Sequence, residues 1–120
     1  MIVSRRTERI GEQLRAEIAR ILREEAADPR IRLVTLTRVD VSPDLARADV
    51  LWSTMDSADP AIHESVERGL ESAAGFVRRR LARDLSLRRT PEIHFRHDPS
   101  FELGGQTLAL LQSLRDDTLE

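Results

Sequence analysis

The sequence of 120 residues predicts an α+β domain of two layers, in the order α-β-β-α-break-α-β, with a short helix at the end. Three observations predict it. Apolar residues recur at helical spacing over Thr7–Ala27 and again from Ile62 to Leu85. Between these stretches, two runs rich in Val, Ile, Leu and Thr flank the turn residues Ser42-Pro43-Asp44. A third strand-like run opens at Pro91. A small sheet must bury its apolar face, and the helices supply the cover.

In the first helix, Ile10, Leu14, Ile18, Ile21 and Leu22 form one apolar face and charged residues fill the rest. Gly11 costs it about 1 kcal/mol relative to Ala. Asp28-Pro29 ends it, because the residue before Pro is pushed out of the α region. Ile31–Val41 reads as a strand whose alternation changes parity between Leu36 and Val39, so a bulge is expected near Thr37–Arg38. Ser42-Pro43-Asp44 is turn chemistry. Ala46–Met55 follows as the second strand, with Ala48, Val50 and Trp52 on one side and Arg47, Asp49 and Ser53 on the other. Asp59-Pro60 is a helix start, an N-cap followed by Pro at the first helical position. Ile62, Val66, Leu70, Ala73, Val77, Leu81 and Leu85 then keep helical spacing. Periodicity alone allows one long helix to Leu85, and the only break signal is Gly75 with its alanine neighbours. In the third strand Ile93, Phe95 and His97 share a face. Gly104-Gly105 separates it from a short helix over Leu108–Leu114 and an acidic end.

No linker, repeat or low-complexity stretch divides the chain. A single domain over 1–120 is expected, with its core at about 7–98 and a C-terminal helix and tail over about 100–120. Hydrophobic residues make up 40% and charged residues 33%, the balance of a globular domain rather than a disordered chain. The aromatics are Trp52, Phe76, Phe95 and Phe101, too few for a fold that stacks bases on an aromatic platform. The absence of cysteine excludes disulfides and thiolate metal sites. No apolar run has membrane-spanning length, and MIVSRRTER lacks the apolar core of a signal peptide, so a cytoplasmic location is expected.

The charge is unevenly placed. Between Arg78 and Arg89 stand six arginines against one acid, Asp84, a local +5 in a chain of net charge −2. On a straight helix Phe76, Arg79, Arg80 and Arg83 share a face, while Val77, Leu81 and Leu85 turn toward the core. Arg78 is counted with them as a candidate contact, and Arg88 and Arg89 follow on the connection to the third strand. One acid cannot neutralise six guanidinium groups within the helix, so the stripe predicts a polyanion-binding surface. Arg5, Arg6 and Arg9 extend it if the first helix starts nearby. Every basic residue is Arg, whose planar fork matches phosphate oxygens.

Two rival readings stand beside this one. The arginines could meet an acidic protein, making the domain a non-enzymatic interaction module. A small hydrolase could use His94, His97 and Asp98, but the odd spacing of the two histidines puts them on opposite faces of a strand and speaks against a metal site. There is no nucleophile elbow, Walker loop or dinucleotide fingerprint. Gly104-Gly105 before a helix could hold a phosphate, though a plain helix breaker explains it. No enzyme and no cofactor are expected, and nothing demands a dimer, so a monomer is expected.

Four stretches together carry a family resemblance: DPRI at Asp28–Ile31, VSPDLARADV at Val41–Val50, AAGFVRRRL at Ala73–Leu81 and LRRTPEIHF at Leu87–Phe95. With SRRTERIGEQLRAEIARIL before them, they resemble the bacterial ribosome-binding factor A family over nearly the whole chain, to about Leu114. The resemblance implies a KH-like fold of the second type. It also implies that the phosphate-clamping GxxG loop of KH domains is replaced by an Ala-x-Gly kink, at Ala73, Ala74 and Gly75. Gly69-Leu70-Glu71-Ser72 supplies no GxxG. It further implies binding to free 30S small ribosomal subunits and 16S rRNA, support of late 30S maturation and 16S precursor processing, and a link to cold adaptation. With a kink in place of the loop, phosphate affinity falls to the arginine side chains, and recognition of RNA shape rather than a base code is expected.

Overall fold

A computed structural model describes residues 5–32, 34–54 and 59–99. Its elements are α1 (Arg5–Glu24), a 3₁₀ turn (Pro29–Ile31), β1 (Thr35–Val41), β2 (Arg47–Ser53), α2 (Pro60–Asp84) and β3 (Glu92–His97). The sheet order is β1-β2-β3. β1 and β2 form the expected antiparallel hairpin, and β3 joins β2 in parallel, reached by the crossover through α2. This is the expected two-layer α+β arrangement.

The apolar stripe of α1 lies on β1, and α2 lies along β3. Leu14, Ile18, Ile21 and Leu22 meet Leu36, Val39, Ala48, Val50 and Trp52 in a core that α2 completes with Val66, Leu70, Val77 and Leu81. α1 approaches β1 so closely that a methyl group on Gly11 would stand 2.5 Å from the Val39 carbonyl oxygen. The helix-propensity cost of Gly11 is therefore the condition of this approach.

The bulge is at the expected place. The register shifts between Leu36 and Arg38 and leaves Thr37 without a partner across the ladder. Its hydroxyl instead donates to Asp98 just beyond β3, at 2.6 Å. Asp59 caps α2 by accepting from the Ala61 amide at 2.9 Å, with Pro60 at the first helical position.

α1 begins at Arg5 rather than Thr7 and β2 spans Arg47–Ser53 rather than Ala46–Met55, and three further differences from expectation have physical reasons. β1 begins at Thr35 rather than Ile31, because Asp28 accepts from the Arg30 amide at 3.0 Å and winds Pro29–Ile31 into a 3₁₀ turn. α1 ends at Glu24 rather than Ala27, where the Glu25 and Ala26 amides both close onto the Ile21 carbonyl at 2.9 Å. Most consequentially, the expected break at Ala73-Ala74-Gly75 is absent: α2 runs without interruption for 25 residues. The physical reason lies in its buried positions. Val66, Leu70, Val77 and Leu81 keep one helical phase across Gly75, so one continuous face covers the sheet, and a break that shifted this phase would throw half of them out of the core. The helix at Leu108–Leu114 lies outside the described residues.

The sheet face opposite the core carries ion pairs. Arg38 meets Asp40 at 3.2 Å, Arg47 meets Asp49 at 2.9 Å, Arg96 reaches the same Asp49 at 3.6 Å, and His94 stands 3.3 Å from Glu92. On the core side the His97 ring packs 4.9 Å from Trp52 and edge-on, at 4.5 Å, to His63 of α2. The two histidines of β3 thus diverge as their spacing predicts, and Asp98 is held by Thr37. Among the described residues no group of three His, Cys, Asp or Glu could hold a metal. No described helix is long and apolar enough to cross a membrane.

Candidate nucleic-acid interface

The second half of α2 turns Val77 and Leu81 inward, which leaves Arg78, Arg79 and Arg83 exposed and Arg80 half-buried. Phe76 does two things at once. It packs against the edge of the core, and the Arg80 guanidinium lies over its ring at 5.1 Å from the centroid. An unbroken helix therefore keeps Phe76 beside an arginine without exposing it fully.

The arginines are not equivalent. Glu25, just past α1, stands 3.3 Å from Arg20, 3.7 Å from Arg80 and 3.8 Å from Arg83. Asp84 adds a second acid, 2.9 Å from Arg83 and 3.3 Å from Arg20. The hydrogen bond from Arg83 holds the Asp84 carboxyl below its ordinary range, against the opposing effect of burial. Asp84 is the one acid among the arginines in sequence, but further counter-charge comes from the neighbouring helix, and it partly neutralises Arg80 and Arg83. Glu25 was present in the sequence, but only the packing of α1 against α2 reveals which arginines it faces.

Arg78 has another task. Its guanidinium donates to the Thr90 carbonyl at 3.3 Å and ties the α2–β3 connection back to the helix. Beyond this clamp, Arg88 and Arg89 are exposed and share a cleft of about 250 Å³ with Arg6 of α1. The start of α1 brings Arg6 to this cleft, and Arg5 is exposed one residue earlier. No ion pair joins Arg5, Arg6, Arg79, Arg88 or Arg89 to a described carboxylate. Asp44 is the acid that feels Arg89 at longer range, and its carboxyl is lowered chiefly by the Ser42 hydroxyl and the Ala46 amide. The residues between these cations were not legible as a site: Ser86 and Leu87 carried no chemistry of their own, and Pro91 read as the opening of the third strand.

Ala73, Ala74 and Gly75 sit one turn before Arg78 and Arg79, on the interior of the helix. Gly75 is exposed, and the nearest atom to a methyl group placed on it would be Arg79 Nη1, at 3.6 Å. Ala73 packs against the core, so Gly75 is the residue that leaves the surface of α2 low beside Arg79.

Comparison with known proteins agrees with the resemblance. The family profile described as ribosome-binding factor A matches residues 6–111. The ribosome-binding factor A of Thioalkalivibrio sulfidiphilus is 45% identical over 106 residues, covering 88% of this chain and 81% of that protein. That of Dechloromonas aromatica is 40% identical over 118 residues, covering 96% and 94%. The crystal structure of ribosome-binding factor A from Thermus thermophilus superimposes with a TM-score of 0.66 at 25% identity, over 76% of this chain and 94% of that one. Coordinates of a Thermus thermophilus ribosome binding factor A, fitted into a cryo-EM map of its 30S complex, give a TM-score of 0.55 at 26% identity, over 72% and 88%. With its fold, its hairpin and its arginine surface in place, the chain belongs to the ribosome-binding factor A family.

Proposed function

We propose that this protein binds the free small ribosomal subunit by setting its arginine surface on 16S rRNA phosphates, and that it assists late 30S maturation and precursor processing in the cytoplasm. It acts by binding and not by cutting. The observation that carries the reading is that Arg5, Arg6, Arg79, Arg88 and Arg89, from two helices and a loop, make no ion pair with a described carboxylate, and that Arg6, Arg88 and Arg89 meet at one cleft, in a chain of net charge −2. The family and the fitted Thermus 30S complex point this polyanion surface toward small-subunit rRNA. Gly75 leaves room for the RNA backbone beside Arg79. The oppositely facing sheet surface pairs most of its described charges with one another, so RNA is met through phosphates and shape on the arginine side.

The test is co-sedimentation with free small subunits and with complete ribosomes across a salt series. Binding to free subunits is expected to fall steeply with salt. Arg79→Ala with Arg88→Ala should flatten the log–log slope by about 1.5, since each lost phosphate contact removes about 0.7–0.9. Arg83→Ala alone should change it less, because Glu25 and Asp84 already share that charge. An unchanged slope in the double variant, or binding to complete ribosomes only, refutes the reading. An association that survives nuclease treatment would indicate an acidic protein partner instead.

A further inference from the structure

The cleft between α1 and the α2–β3 connection has two kinds of wall. Among the described residues its charged rim is entirely cationic, Arg6 on one side and Arg88 and Arg89 on the other, and no described carboxylate lines it. Its floor is apolar, built from Ile10, Val41, Leu87 and Pro91. Ile10 is the one member of the apolar stripe of α1 that the core leaves half-buried. The floor is also held in place. Pro91 is fully buried, and the clamp from Arg78 to the Thr90 carbonyl fixes the residue before it.

A bare phosphate would satisfy the rim and leave the floor without a purpose. An apolar side chain would do the reverse. An unstacked nucleotide satisfies both, with an anion for the guanidinium groups and a flat apolar ring for the floor. The volume of about 250 Å³ lies just under the usual range of small-molecule pockets and limits the occupant to a single base with its sugar. Proteins that read RNA commonly take such splayed bases against apolar and guanidinium surfaces. We propose that this cleft receives one unpaired nucleotide of the bound RNA, its phosphate held by Arg6, Arg88 and Arg89 and its base lying over Ile10 and Leu87, with Pro91 buried beneath them. The proposal rests on the RNA reading above and adds a base-dependent contact to a surface otherwise read as phosphate-only.

The experiment is a nitrogen-15 NMR titration of the full chain with the four ribonucleoside 5′-monophosphates, ribose 5-phosphate and a hexaglutamate peptide. At least one mononucleotide should shift the Ile10, Ser86 and Leu87 amides and bind about tenfold more tightly than ribose 5-phosphate, the gain of roughly 1.4 kcal/mol expected for a seated base. Leu87→Ser should bring that mononucleotide down to the level of ribose 5-phosphate. If that variant fails to fold, Arg89→Ala serves in its place and should weaken every phosphate-bearing probe. Equal binding of all mononucleotides and ribose 5-phosphate, shifts confined to other surfaces, or equal shifts from hexaglutamate would each overturn the proposal. The two readings fail separately. If Arg6→Ala, Arg88→Ala and Arg89→Ala together leave subunit binding intact, the RNA surface is wrong; if they weaken it while no base dependence appears, only the nucleotide cleft is wrong.

Discussion

Gly11 and Gly75 carry the same residue type in two helices and opposite consequences. At Gly11 the obstacle is a backbone carbonyl, Val39 O, which cannot step aside without moving β1. Gly11→Ala should therefore destabilise the fold by about 2 kcal/mol, the usual cost of overpacking, despite its better helix propensity. At Gly75 the space is open and the helix continuous, so Gly75→Ala should stabilise by up to about 1 kcal/mol. Urea unfolding of the two variants checks both signs; a destabilised Gly75→Ala would mean that the helix needs glycine there. Asp28 supplies a pH prediction at the same scale. The side-chain and backbone hydrogen bonds from Arg30 lower its carboxyl pKa below the ordinary value of 3.8. A lowered folded pKa contributes stability that is complete above the unfolded value and lost as pH falls through the folded one. Asp28→Asn should thus lower Tm at pH 7, and its difference from the parent should shrink as pH falls below the ordinary carboxylate range. A difference that persists in acid would assign the effect to packing against Gly69 instead, since the Asp28 carboxylate stands 3.2 Å from where a Gly69 methyl would lie.

At the scale of elements, α2 was legible in its apolar phase and its Asp59-Pro60 start, and misjudged in its continuity. Periodicity said one helix, the Ala-x-Gly resemblance said a joint, and packing against a sheet decided for the continuous face. The arginine stripe on α2 was likewise legible as a stripe, but not as a divided one. Glu25 follows α1 and is far away in sequence, so no helical wheel of α2 could include it. This division is testable. Glu25→Gln removes the acid shared by Arg20, Arg80 and Arg83, and should raise affinity for small subunits about threefold at low salt while steepening the salt slope. Unaltered affinity would show that Arg80 and Arg83 face away from the RNA.

At the scale of the molecule, charge is sorted by surface rather than by segment. The outer sheet face binds its charges to one another, the α1–α2 seam forms a network around Glu25, and the start of α1 meets the α2–β3 connection with arginines that no described acid neutralises. The sequence by itself determined the α+β class, the hairpin with its bulge at Thr37, the cap of α2, the divergence of His94 and His97, and the cationic character of Arg78–Arg89. All of these are local: they follow from spacing along the chain, from turn chemistry or from the charge of neighbours in sequence. Only the tertiary structure decided that α2 passes straight through Gly75, that Glu25 neutralises part of the stripe, and that Arg6 joins Arg88 and Arg89 around one cleft. Each of those depends on residues brought together across the two layers, where the packing of helix on sheet and of α1 on α2 fixes distances that no periodicity encodes.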